Sequence, residues 1–94
     1  MLDIKTDKKD EILLSGRFDA SQVDKAIKVF DTISVATIID FNELEYISSA
    51  GLGVLLITQK KLKDKGHQLI LKNMNKHIRE VFKYAGFDMI FKIE

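Results

Sequence analysis

Val35 to Asp40 (VATIID) is short, β-branched and almost wholly apolar, and it constrains the rest of the chain more than any other feature. A strand with so little polar surface to offer water belongs near the middle of a sheet, with both faces covered. A loop over Phe41 to Ser49 follows, and then Gly51 to Lys65 reads as a helix. Its first half is apolar on nearly every side, while its second half carries Lys60, Lys61, Lys63 and Lys65. Those lysines complement the negative end of the helix dipole, and Gly66 is placed to end the helix in a left-handed conformation. A buried strand leading into a helix buried at its entrance is the start of a β-α-β unit, which requires a parallel neighbour.

The flanking segments extend the pattern. Leu2, Ile4 and Thr6 alternate with polar residues, Asp7 to Asp10 forms a polar turn, and Glu11 to Phe18 is a second strand, together an edge hairpin. Ser21, followed three residues later by Asp24, resembles an N-cap arrangement before a helix bearing Val23, Ala26, Ile27 and Phe30 on one stripe. His67 to Lys72 is the next strand. Asn75 caps a third helix with Ile78, Val81, Phe82 and Ala85, Gly86 stops it, and a last strand lies around Met89 to Ile93. The order β-β-α-β-α-β-α-β predicts one α/β domain over residues 1–94. Its sheet is mostly parallel with an antiparallel edge strand, and helices pack on it. In such sheets the productive surface is at the carboxyl ends of the strands. Gly16 to Ser21 and Asp40 to Gly53 are therefore the segments to inspect.

Several chemistries are excluded early. The chain has no cysteine, so disulfides, thiolate metal sites and cysteine nucleophiles are out. Fifteen Lys and Arg against fourteen Asp and Glu leave a formal charge of +1, with no bias toward nucleic acid or an anionic membrane. The first ten residues are dense in charge, and the longest apolar stretch is far shorter than the roughly 20 residues that span a bilayer. A soluble, cytoplasmic protein is expected. His67 and His77 are isolated from each other and from other ligands at metal spacing, so no metal and no cofactor are expected. The lysines of residues 60–65 read as a solvated helix end.

The segment Asp40 to Leu56, DFNELEYISSAGLGVLL, carries the most functional information. Ser48, Ser49, Ala50, Gly51 and Gly53 open a buried helix with small residues, which lets another backbone or an anion come close. A serine there either caps the helix or presents its hydroxyl for covalent phosphorylation. Gly51-x-Gly53 lacks the Lys-Ser/Thr pair of a nucleotide-binding loop. Asp40 has no acidic pair beside it with which to hold Mg²⁺ as a phospho-acceptor aspartate would need, and it reads instead as a strand-ending residue that bonds the following turn. Asp19 reads as a turn residue before a helix. Tyr46 and Phe41 are expected to pack under the loop, or to anchor a partner if exposed. No nucleophile, base and orienting group can be assembled into an active site, so no enzymatic activity is expected.

The run D-F-x-x-L-x-Y-I-S-S-A-G-L-G-V-L-L resembles the signature of STAS domains, the family of bacterial anti-sigma factor antagonists. Leu14-Ser15-Gly16-Arg17-Phe18-Asp19 resembles the family's turn after the second strand, and Asn75 to Phe91 its terminal helix and strand. The resemblance implies a small switch protein that binds a serine kinase of the histidine-kinase-like ATPase fold, which is also the anti-sigma factor. The unphosphorylated protein displaces the sigma factor and so regulates transcription; the phosphorylated one lets go until a phosphatase restores it. By the same resemblance Ser49 is the phosphorylated residue, and Asp19, Ser48, Ser49, Ala50, Gly51 and Gly53 face the partner. Ser48 stands where family members commonly carry Asp, and Ala50 where Ser or Thr is usual. A scaffold or transporter-associated member that is never phosphorylated, and a binder of small phosphate ligands, are the alternative readings.

Overall fold

A computed structural model describes residues 1–94. Strands β1 (Leu2–Lys8) and β2 (Glu11–Phe18) form the antiparallel hairpin. Helix α1 (Val23–Phe30), strand β3 (Thr37–Ile47), helix α2 (Ser49–Lys63), strand β4 (Leu69–Lys72), helix α3 (Lys76–Tyr84) and strand β5 (Lys92–Ile93) follow. The strands lie side by side in chain order, and every pair after the hairpin is parallel. β3 is central, as expected.

Because the strand order never reverses, crossovers of one hand place every helix on the same side of the sheet. Burial alternates accordingly. Ile12, Leu14, Ile39, Phe41, Leu69 and Leu71 are buried beneath the helices, while Leu13, Ile38, Asp40, Ile70 and Lys72 on the other face are only half covered. The expectation of a strand covered on both faces is therefore corrected: a rim of charge, including the Lys72–Glu11 pair at 3.7 Å, screens the apolar residues of the open face instead.

β3 also corrects the sequence reading at both ends. Val35 is exposed and lies outside it, and the strand runs on through the segment expected to be a loop, to Ile47. Its buried residues Phe41, Leu44 and Ile47 recur every third position, because the register against β2 slips between Leu13 and Ser15 and again between Gly16 and Arg17. Each slip puts an extra residue into β3, a bulge that breaks the two-residue alternation. Asp40 sits at the first bulge. Its Oδ1 accepts the Asn42 amide at 2.9 Å and Asn73 Nδ2 at 3.0 Å, and pairing with β4 ends there while pairing with β2 continues.

Two features seat the helices. Phe82 of α3 packs edge-on against Phe41 and Phe91, with centroids 5.9 and 5.8 Å away, which fixes α3 over β3 and the C-terminal segment. Gln59 of α2 is buried; its Oε1 accepts the Leu69 amide at 2.8 Å and its Nε2 donates to the Ile90 carbonyl at 2.9 Å. The expected stop signals hold. Gly66 is left-handed, and the His67 amide bonds the Leu62 carbonyl; Asn75 caps α3 by accepting the Ile78 amide at 2.8 Å. β5 is shorter than expected because residues 87–89 make a 3₁₀ turn. No helix is long and apolar enough to cross a membrane.

Candidate functional site

The carboxyl ends of β2 and β3 finish in register, Phe18 opposite Ile47, and the Ser48 amide extends the ladder by bonding the Phe18 carbonyl at 2.9 Å. The next residues of both strands, Asp19 on one and Ser48–Ser49 on the other, therefore leave the sheet side by side. Asp19 turns the chain into a 3₁₀ turn at Ala20–Gln22 that lies against α2. Its Oδ1 accepts the Ser21 amide at 3.1 Å and the Ser21 hydroxyl at 2.6 Å. Asp19 thus caps this 3₁₀ turn, while the cap expected at Ser21 for the first helix is not formed: α1 starts after Gln22 with no side-chain cap. The Ser21 hydroxyl bond is the main reason the Asp19 carboxyl lies below the ordinary 3.8, and the Ser21 amide, the chain's amino terminus and Arg17 act in the same direction.

Ser48 is the N-cap of α2: its Oγ accepts the Gly51 amide at 3.2 Å, and its carbonyl accepts the Leu52 amide at 2.9 Å. Ser49 is the first helical residue and is exposed, as is Ala50. The two roles open to a serine here are thus divided, Ser48 capping the helix and Ser49 presenting its side chain to solvent at the positive end of the dipole. Gly51 is buried. A Cβ there would come within 2.9 Å of Ile47 Cγ1 and 3.1 Å of the Phe18 ring, so glycine is what lets α2 close onto the strand ends. Its place is beneath the surface rather than on it. Gly53 lies one turn along the exposed side, where an added Cβ would meet nothing within 4 Å.

The structure thus gathers Asp19, Ser48, Ser49 and Ala50 at one end of the molecule, with Gly51 under them and Gly53 beside them. Asp40 is removed from this group. It lies seven residues before the end of β3, roughly 20 Å along an extended strand, and its carboxylate is bound to Asn42 and Asn73. Phe41 is in the core. Tyr46 lies opposite Arg17 in the β2–β3 ladder, and the Arg17 guanidinium sits 4.4 Å above its ring. The sequence reading missed that pair, because only the register slips bring positions 17 and 46 opposite each other.

Residues 14–94 match the family model described as STAS domain. A Bordetella bronchiseptica protein designated a candidate anti-sigma factor antagonist, BtrV, is 39% identical over 74 residues, which cover 79% of this chain and 58% of that protein. The match thus spans less than two thirds of that relative. The anti-sigma-B factor antagonist of Listeria monocytogenes is 27% identical over 88 residues, covering 89% of this chain and 77% of its own. Among solved structures, the anti-sigma factor antagonist SpoIIAA in its unphosphorylated form superposes with a TM-score of 0.79 at 20% identity, over 100% of this chain and 88% of that one. Bacillus SpoIIAA in the phosphorylated form superposes at 0.71 and 19% identity, over 100% and 91%. With the family model covering most of its length and a fold shared with SpoIIAA, this chain belongs to the STAS domain family.

Proposed function

We propose that this chain is a phosphorylation-switched anti-sigma factor antagonist. In its unmodified form it binds an anti-sigma factor that is also a serine kinase of the histidine-kinase-like ATPase fold, and a sigma factor is released. Phosphorylation of Ser49 by that kinase ends the complex, and a phosphatase restores it. The chain acts in the cytoplasm by binding and catalyses no reaction. Residues 1–94 suffice as one folded domain, and Asp19, Ser48, Ser49, Ala50 and Gly53 meet the partner over the buried Gly51.

The observation that carries the reading is the division of labour at the entrance of α2. Ser48 supplies the cap, so Ser49 is exposed at the first helical position beside the Asp19 turn. A phosphate on Ser49 brings about −1.5 to −2 charges to a helix N-terminus, where free amides and the dipole accommodate it without rearranging the fold. The same dianion, close to the Asp19 carboxylate, confronts any surface that had packed on a neutral serine. Losing about 3 kcal/mol of binding weakens a complex more than a hundredfold, so release needs no large movement of the backbone. SpoIIAA, solved in both phosphorylated and unphosphorylated forms, shares this fold, which supports the reading.

Incubation with the purified kinase and ATP, read by mass spectrometry, is expected to give one phosphate, on Ser49. Ser49→Ala is expected to keep the fold and the complex and to lose the modification, and Ser49→Asp to weaken binding by tenfold or more. Phosphate on another residue would overturn the assignment. Tight binding with Ser49 never modified would favour the scaffold reading, to which the replacement of the family's usual Asp by Ser48 lends some weight.

A further inference from the structure

Ile57 is 69% exposed on α2 and Ile27 is 39% exposed on α1. Scattered exposed aliphatic residues are ordinary on any surface. These two stand instead on opposite walls of one groove, whose floor is made by Phe30 and Val54 of the core. The groove holds about 100 Å³. That is on the order of three water volumes and short of the roughly 150 Å³ cavity that admits benzene, so it has room for one aliphatic side chain. It offers no free polar group to a ligand at Thr58, whose hydroxyl donates to the Val54 carbonyl of its own helix at 2.9 Å.

Where α1 ends, Lys61 of α2 donates to the Asp31 carbonyl at 3.2 Å. Toward the entrance of α2 the 3₁₀ turn at Ala20–Gln22 lies against that helix. Ser49, Gly53 and Ile57 are spaced four residues apart and share one face of α2, and Gly53 leaves that path bare of side chain. A partner surface that covers Ser49 therefore lies on the same face of α2 as the Ile57 wall.

We infer that the α1–α2 groove receives an aliphatic side chain of the same anti-sigma factor that covers Ser49, and that Ile27 and Ile57 are its anchoring walls. The inference rests on the proposed function. Its physical sense is that Ser49, a small polar residue, gives a partner little surface to hold, whereas an aliphatic side chain seated beside it gives the complex a desolvated centre and leaves the serine as the part that a phosphate can oppose.

The test uses the full chain and the purified anti-sigma kinase of the organism that carries it, with affinity measured by calorimetry. Ile57→Ser is expected to weaken binding at least tenfold, Ile57→Val by less than threefold, and Ile27→Ser with Ile57→Ser more than either alone. Melting temperatures should stay close to wild type, because Ile57 is mostly exposed. Phosphate incorporation at saturating kinase should still reach Ser49 in Ile57→Ser, so that lost affinity is distinguished from a lost modification site. An Ile57→Ser complex as tight as wild type overturns the inference and leaves the proposed function standing. A wild-type chain that does not bind the kinase overturns both. A dimer of the chain alone that Ile57→Ser dissolves gives the groove to a second copy instead, and overturns the inference as well.

Discussion

Gly51 and Gly53 stand two residues apart in the same helix, and the same substitution is expected to act on them with opposite signs. Alanine in place of glycine inside a helix gains about 0.5–1 kcal/mol from the backbone freedom that the unfolded chain no longer has to lose. At Gly53 nothing opposes that gain, since an added Cβ meets no atom within 4 Å. Gly53→Ala should therefore be more stable by about 0.5–1 kcal/mol, and for a domain of this size each kcal/mol moves the melting temperature by about 4–8 °C. At Gly51 the added carbon comes to 2.9 Å from Ile47 Cγ1 and 3.1 Å from the Phe18 ring. Both neighbours are buried core residues with nowhere to withdraw, so the cost is that of overpacking, about 1–3 kcal/mol. The helix term is common to both variants and cancels in their difference, which should be about 1–3 kcal/mol in favour of Gly53→Ala. Urea unfolding followed by circular dichroism measures this directly, provided the slope is unchanged between variants. Equal midpoints for the two variants would refute the reasoning, because they would mean that α2 is not closely seated on the strand ends that carry Asp19 and Ser48.

Two other expectations are independent of any partner. Gln59→Leu keeps the volume but strips the buried Leu69 amide of its partner, at about 1–3 kcal/mol, and frees the part-buried Ile90 carbonyl; amide exchange at Leu69 should accelerate, and unchanged protection there would show that Gln59 is dispensable. Asp19 has a carboxyl held below its ordinary 3.8, mainly by the Ser21 hydroxyl. A depressed folded value means that its contribution to stability is present above the unfolded pKa and is lost as the pH falls through the folded one, so Asp19→Asn should lower stability at neutral pH, converge with wild type in acid, and thereby flatten the acid limb of the stability curve below about pH 4. A Ser21 amide resonance that does not titrate in that range in the wild type would contradict this.

Much of the architecture was legible because local chemistry and tertiary packing agree. Asn75, Gly66 and Gly86 mark helix ends in the sequence and serve as such in the structure, since a cap and a left-handed turn depend on a few neighbouring residues. The segment 41–47 misled because alternation is the only local sign of a strand, and two bulges replace it with a spacing of three. Asp19 was displaced by Ser21 in the reading of the first helix. Both residues are common caps, but β2 ends in a 3₁₀ turn that Asp19 caps, and α1 follows it without a side-chain cap of its own.

At the site, the loop of small residues and its two serines were apparent from sequence, together with the resemblance that directs attention to Ser49. The sequence could not say which serine caps the helix, because that depends on the backbone angle at the strand end, and the angle follows from the ladder bond between the Ser48 amide and the Phe18 carbonyl. Nor could it place Ile27 beside Ile57, thirty residues apart, or move Asp40 away from Ser49. Periodicity assigns each residue to a face of its own element. Which faces meet is decided by the order of strands in the sheet and by the side on which the crossovers lay the helices, and those are properties of the whole chain.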